Sequence, residues 1–301
     1  MQRIRIAPEG PEFSRISLGW MRLQEWHLNT AGLTRMIRKS IDLGLTTFDH
    51  ADIYGSYTCE EVFGHALSET PSMRHEIEIV TKCGIKLISK NRPENTIHAY
   101  DTSKQYILWS AENSLKKLQT DYLDVLLVHR PDPLMDADEV AEAFYKLKEA
   151  GKVRHFGVSN FTTSQFDLLQ SRLDFPLVTN QLEISVLHLN ALFDGALDQC
   201  QQKRISPMAW SPIGGGRLFS GNSEKEMHVR NELQRIGEEL GGAAPDQVAL
   251  AWLLKHPSKI VPVLGTGNMK RIKAAKESID LKLSTDQWFG ILAASTGQEV
   301  P

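Results

Sequence analysis

The sequence predicts an α/β chain folded as a single (β/α)8 barrel of the TIM type, with long loops at the C-terminal face of the strands. Three observations carry that expectation. Eight short apolar runs recur along the chain, most are followed by segments of helical period, and no linker or low-complexity tract divides the sequence. A length of 301 residues fits either two ordinary domains or one large one. Eight units favour a closed barrel, which needs about 250 residues, over an open six-stranded sheet. The domain is expected to span residues 1–301.

The runs, in order, begin with Arg15–Trp20, Thr46–Ala51, Ile77–Cys83 and Tyr122–His129. They continue with Val153–Asn160, Leu177–Glu183, Ser206–Ser211 and Ile260–Gly265. Near-continuous apolarity suits strands covered on both faces, as in a parallel sheet. Thr30–Leu43 reads as a helix, with apolar Leu33, Met36, Ile37 and Ile41 on one face and Gly44 as its stop. Ser103–Leu118, Asp136–Ala150, Thr163–Gln170, Leu189–Gln202 and Pro245–His256 behave alike. The first eight residues are expected to form a small cap ahead of the first strand. Two connections exceed what a barrel requires. Gly84–Thr102 follows the third strand, and Pro212–Met227, containing Gly214-Gly215-Gly216, follows the seventh. Both read as covers over the C-terminal face, where substrate choice and cofactor closure would be decided.

Composition excludes several classes. Hydrophobic residues at 41% and charged residues at 24% describe a globular chain rather than a disordered one. A net charge of −3 gives no broad basic surface, so neither nucleic acid nor an anionic membrane is the expected partner. The N-terminus has no apolar core of signal-peptide length and no segment approaches a membrane span, which points to the cytoplasm. Cys59, Cys83 and Cys200 lie far apart, as reduced thiols would. No pair of cysteines or histidines has zinc spacing, so no metal is expected.

The strand ends carry the chemistry. Asp49, Asp52 and Tyr54 close the second strand, Lys82 the third, His129 and Arg130 the fourth, and Ser159 and Asn160 the fifth. Asn180, Gln181 and Glu183 follow on the sixth, Trp210 and Ser211 on the seventh. Apolar strands gain nothing by ending on charges unless those charges meet. A tyrosine of ordinary pKa about 10 is a poor acid at neutral pH. A lysine ammonium beside it lowers that value, and a carboxylate holds the lysine. Such a tyrosine protonates an oxygen that gains charge during carbonyl reduction, with the hydride coming from a cofactor. The dinucleotide fingerprint G-x-G-x-x-G is absent after every strand.

The blocks FDHADIYGSYTCEEVFGHAL, IVTKCG, DYLDVLLVHRPDP, GKVRHFGVSNF, NQLEIS, MAWSPIGGGRLF and VPVLGTG occur in that order. Together they resemble the aldo-keto reductase family from about Arg15 to Lys282. The resemblance implies a catalytic set of Asp49, Tyr54, Lys82 and His129, with Tyr54 as proton donor, Lys82 assisting, Asp49 pairing with Lys82, and His129 orienting the substrate oxygen. It implies NADPH or NADP+ as cofactor and a small carbonyl compound as substrate, in a monomeric protein. Ser159, Asn160 and Gln181 would then meet the carboxamide and Trp210 the nicotinamide ring. Ser211, Pro212, Ile213 and Gly214 would wrap the pyrophosphate, and Gly19 and Trp20 are also expected among the cofactor-binding residues. Gly265, Thr266 and Gly267 precede an expected helix at Asn268, whose N-terminus attracts phosphate. Lys270 and Arg271 are placed for the 2′-phosphate. The chain departs from the family at His50, where threonine is common, at Trp210, where tyrosine is common, and in the stretch Lys273–Ser278.

Other readings stand beside these. The chain could be a cofactor-binding regulatory subunit that senses redox state, or a barrel isomerase or aldolase acting on phosphorylated substrates. A lone His129 could be structural, Lys270, Arg271, Lys273 and Lys276 a solvated helix face, and Asp52 a helix cap. Cys83 alternates away from Lys82 and reads as a buried, inert thiol. Trp20, Trp26, Tyr100 and Arg130 are either substrate-mouth residues or ordinary packing.

Overall fold

Each of the eight apolar runs becomes one strand of a closed, all-parallel barrel. The computed structural model describes residues 3–299, so the outermost residues of the expected 1–301 domain lie outside the description. The strands are β1 (Ser17–Gly19), β2 (Thr47–Asp49), β3 (Glu78–Cys83) and β4 (Leu123–Val128). They continue with β5 (Val153–Ser159), β6 (Leu177–Glu183), β7 (Met208–Trp210) and β8 (Val261–Leu264). Neighbours in sequence are neighbours in the barrel, and β8 pairs with β1 to close it. The register sets Asp49 beside Gly19 and Lys82 beside Leu127, so the charged strand ends share one rim.

The helix layer begins with α1 (Thr30–Asp42), α2 (Cys59–Ser68), α3 (Lys104–Leu118), α4 (Ala137–Glu149) and α5 (Thr163–Gln170). It continues with α6 (Ala196–Lys203), α7 (Glu224–Glu239), α8 (Pro245–Lys255), α9 (Met269–Glu277) and α10 (Thr285–Thr296). Side-chain caps set many of the starts: Asn29 for α1, Ser103 for α3, Asp136 for α4, Thr162 for α5 and Asn268 for α9.

Three expectations change. Leu189–Gln202 is two pieces, a turn at Asn190–Phe193 and then α6, because Gly195 takes a left-handed φ of 85° between them. Pro212–Met227 is largely helical: a tight turn at Gly214–Gly216, a helical turn at Arg217–Ser220, and the first residues of α7 behind the Ser223–Glu226 capping box. The residues ahead of β1 form an antiparallel hairpin, Arg3–Arg5 with Glu12–Ser14. Directly after it, the buried Arg15 guanidinium donates to the carbonyls of Leu254, in α8, and Ile260, just ahead of β8. Helices α2, α7 and α10 were not among those expected. Helix α10 packs on α8 through parallel Trp252 and Trp288 rings, centroids 4.9 Å apart, each indole N–H donating to the other residue's carbonyl.

Among the described residues no helix is long and apolar enough to cross a membrane, and no cluster of three His, Cys, Asp or Glu side chains could hold a metal.

Candidate active site

Strand alternation decides which way β3 points its side chains. Thr81 faces the helix layer and donates to Glu60 of α2 at 2.6 Å, so Lys82 faces the barrel mouth. There the Lys82 ammonium spends its three N–H donors at once, on Asp49 Oδ2 at 2.8 Å, the His50 carbonyl at 2.7 Å and the Tyr54 phenol oxygen at 3.1 Å. Gln181 Nε2 donates to the other Asp49 oxygen at 2.7 Å, which leaves the carboxylate held from both sides. Burial works against the Lys82 charge, but the Asp49 and Tyr54 oxygens outweigh it and raise its pKa.

The direction at Tyr54 is the reverse of the sequence expectation. Burial pushes the phenol pKa up and outweighs the Lys82 ammonium that pulls it down, so the net shift is upward. The phenol therefore keeps its proton at neutral pH, as a donor must.

Tyr54 sits at the head of an unusual turn. Gly55, Ser56 and Tyr57 follow with φ of 58°, 54° and 72°, three consecutive left-handed residues of which two carry side chains. At Ser56 and Tyr57, which carry side chains, such conformations cost about 1–3 kcal/mol each and persist only when their surroundings fix them. At Gly55 a Cβ would lie 2.6 Å from Cys59 Sγ. The surroundings here are α3 and the Gly84–Thr102 connection. Lys117 donates to the Tyr57 carbonyl at 2.6 Å, Asn91 to the Ser56 carbonyl at 2.8 Å, and the Leu87 N–H to the Tyr57 hydroxyl at 2.7 Å. This connection thus braces Tyr54, a role different from the cover that its length suggested; only Ile85 of it borders the cavity described below.

His129 meets Tyr54 edge to face, ring centroids 6.0 Å apart. Burial, then the Lys82 and Arg130 charges, hold its pKa well below the ordinary value, so the imidazole is neutral. Its Nδ1 is buried without a hydrogen-bond partner. Across the mouth, Asn160 has a left-handed φ of 61° and accepts from the Trp210 indole N–H at 2.9 Å, while its amide donates to Ser159 Oγ at 2.8 Å. Ser211, next after β7, is also left-handed at 50°. Strained strand ends of this kind cluster at functional sites.

Tyr54, His129, Asn160, Trp210 and Ser211 border one cavity of about 860 Å³, in the upper part of the usual small-molecule range of roughly 300–1,000 Å³. Its wall brings together Gly19, Asp49, Tyr54, His129, Ser159, Asn160 and Gln181, then runs past Trp210, Ser211, Pro212 and Ile213 to Gly265, Thr266 and Arg271. Five expected residues are not on that wall, among them Lys82, which is fully buried and meets Asp49 and Tyr54 from behind. Trp20 is fully buried and packs edge-on against Phe48 and Phe63, with its ring parallel to His50. Gly267 packs against the Trp26 ring, while Gly214 and Lys270 lie off the wall. Of the mouth candidates, Arg130 borders the cavity, whereas Trp26 and Tyr100 do not.

Asp52 is not a helix cap. Its carboxyl is buried, accepts from Ser110 of α3 at 2.9 Å, and is pushed up to about 8 by burial and by neighbouring Glu60. Cys83 is buried, and burial raises its thiol pKa well above the ordinary value. Sequence reasoning missed Glu60, which bonds Thr81 and Ser114 behind Lys82, and the α3 residues Ser110, Ser114 and Lys117. Ser110, Ser114 and Lys117 recur at helical spacing, the one signal that could have shown a polar stripe facing the barrel.

The chain matches the model of the aldo/keto reductase family over residues 15–295. It is 54% identical to Oxidoreductase YdhF of Escherichia coli (strain K12) over 301 residues, all of both chains. It is 45% identical to a 6-dehydroglucose reductase of Agrobacterium fabrum, again over the full length of both. Among solved structures, an aldo/keto reductase from Klebsiella pneumoniae in complex with NADP and acetate superposes with a TM-score of 0.77 at 26% identity, covering 96% of this chain and 94% of that one.

Proposed function

The chain belongs to the aldo/keto reductase family, and from that membership we propose that it reduces aldehydes or ketones to alcohols with NADPH, Tyr54 delivering the proton. The observation that carries this reading is the Lys82 ammonium bonded at once to Asp49 and to the Tyr54 hydroxyl on the wall of the large cavity.

The wall suits a dinucleotide. Ser159, Asn160 and Gln181 offer amide and hydroxyl groups at one end, and Trp210 offers an aromatic face. Further along, Ser211, Pro212 and Ile213 lead to Gly265, Thr266 and the exposed cation Arg271 on the first turn of α9. Helix N-terminal amides and a guanidinium together favour phosphate. When bound, NADPH supplies the hydride. Tyr54, kept protonated by burial, gives its proton to the substrate oxygen as charge develops there. Lys82 stays cationic and stabilises the phenolate left behind, and Asp49 with Gln181 fixes the lysine. Neutral His129 donates a hydrogen bond to the same oxygen and orients the carbonyl. The three cysteines are free and buried, which suits the reducing cytoplasm.

Tyr54→Phe tests the reading. NADPH-dependent reduction of a small aldehyde should fall by roughly 10²–10⁴-fold, the usual worth of a positioned acid, while NADPH binding followed by fluorescence persists. Activity within a few-fold of wild type overturns it.

A further inference from the structure

Arg130 follows His129 directly, is half-buried, and borders the cavity at its reacting end. Its guanidinium lies 5.6 Å from the centre of the Trp210 ring, and that ring is itself fixed by the 2.9 Å bond to Asn160. A cation–π contact holds the group in place without consuming its N–H donors. No ion pair within 4.0 Å and no hydrogen bond engages those donors among the described residues. The nearest acid in sequence, Asp132, is committed elsewhere, accepting from Thr102 at 3.0 Å and from the Leu134 N–H at 2.8 Å.

The charge around the cavity points the same way. The chain as a whole carries a net charge of −3. The cavity wall nevertheless presents Arg22, Arg130 and Arg271 against Asp49 and Asp246, and Asp49 is already paired with Lys82. Arg271 lies on α9, at the end proposed above for the cofactor's phosphate. Arg130 lies beside His129 instead. A free guanidinium fork there matches the paired oxygens of a carboxylate or phosphate.

We propose that Arg130 binds an oxyanion on the substrate itself, so that the enzyme selects carbonyl compounds bearing a carboxylate or phosphate over their neutral counterparts. The inference rests on the reductase reading and adds the substrate class to it. Burial and the Lys82 charge also keep His129 neutral, with Arg130 contributing, so a substrate anion meets Arg130 without competition from an imidazolium.

The test compares matched pairs with NADPH: 5-oxopentanoate against its methyl ester, and glyceraldehyde 3-phosphate against glyceraldehyde. For wild type, kcat/KM for at least one anionic member should exceed its neutral partner by 10-fold or more. Which pair shows the preference separates carboxylate from phosphate recognition. In Arg130→Met the ratio should fall below 3-fold, and Arg130→Lys, which keeps charge but loses the fork, should lie between. Equal or better turnover of both neutral members overturns the inference and leaves the reductase reading standing. So does a preference that survives in Arg130→Met. Should no aldehyde be reduced, the reductase reading fails, and titration calorimetry of 5-oxopentanoate and glyceraldehyde 3-phosphate then decides. Binding to wild type that is lost in Arg130→Met supports anion recognition, and binding that is absent or unaltered refutes it.

Discussion

Lys82 Nζ donates a 3.1 Å hydrogen bond to the Tyr54 phenol oxygen while pairing with Asp49 at 2.8 Å. Lys82→Met removes the charge that would stabilise the phenolate and strands a buried carboxylate. The rate should fall by about 10²–10⁴-fold, and unfolding stability by about 3–5 kcal/mol for the uncompensated charge. The double variant Asp49→Asn, Lys82→Met separates the two losses: melting should recover much of its drop while turnover stays low. Recovery of turnover in the double variant contradicts the assignment.

His50 illustrates a residue whose backbone and side chain have separate fates. Its carbonyl holds Lys82 at 2.7 Å, whereas both ring nitrogens are buried without partners, against Phe63 at 4.4 Å and Trp20 at 5.8 Å between ring centroids. Burial and then the Lys82 charge depress its pKa well below 6.5. Below that pH the unfolded chain takes up a proton that the folded ring cannot, so stability falls as pH falls. His50→Phe should raise the melting temperature by relieving unpaired groups worth about 1–3 kcal/mol. The gain over wild type should be larger at pH 5.5 than at pH 7.5. An equal gain at both values argues against a neutral buried imidazole.

The fold was open to reading because a parallel barrel writes each strand as a continuous apolar run, and the charged strand ends interrupt those runs where the site lies. Asp49, Lys82 and His129 stand out for that reason. What stayed hidden depends on partners distant in sequence. The stripe of α3 facing Asp52 is set by Ser110, 58 residues away, and Trp252 meets Trp288 across 36 residues. Helix α7 escaped notice because its apolar positions Val229, Leu233 and Ile236 are sparse among charges, although Ser223 and Glu226 already spell a capping box. The upward direction at Tyr54 is not legible in the sequence, because the spacing of Tyr54 and Lys82 suggests a nearby ammonium but not that the phenol is desolvated.

Asp52 gives a pH signature of opposite sign. Its carboxyl, 3.8 when free, is pushed up to about 8 by burial, with Glu60 adding to the shift. Between those values the folded state alone holds the proton, so stability falls as pH rises through that window, by up to about 1.4 kcal/mol per pH unit. Asp52→Asn does not titrate. Its melting temperature should gain on wild type steadily from pH 5 to 8 and level off above. A constant difference across that range excludes a protonated Asp52.

Arg271 provides the test of cofactor preference. Arg271→Ala should raise KM for NADPH by about 10–100-fold, the value of one charge-assisted contact of roughly 1.5–3 kcal/mol, and leave KM for NADH nearly unchanged. Parallel steady-state titrations with both cofactors check this. Equal weakening toward both places the guanidinium away from the 2′-phosphate.

The brace on the Tyr54 turn sets a limit for anyone redesigning this protein. Loop grafting between barrel enzymes assumes that a long surface connection is a removable module, but Asn91 and Leu87 reach back to Ser56 and Tyr57, in the turn that follows Tyr54. Transplanting residues 84–102 from a relative would exchange the clamp along with the loop, and new selectivity would arrive with a misaimed Tyr54. Retargeting is better done by point changes at wall positions such as Met21 and Arg130, which border the cavity without supporting that turn.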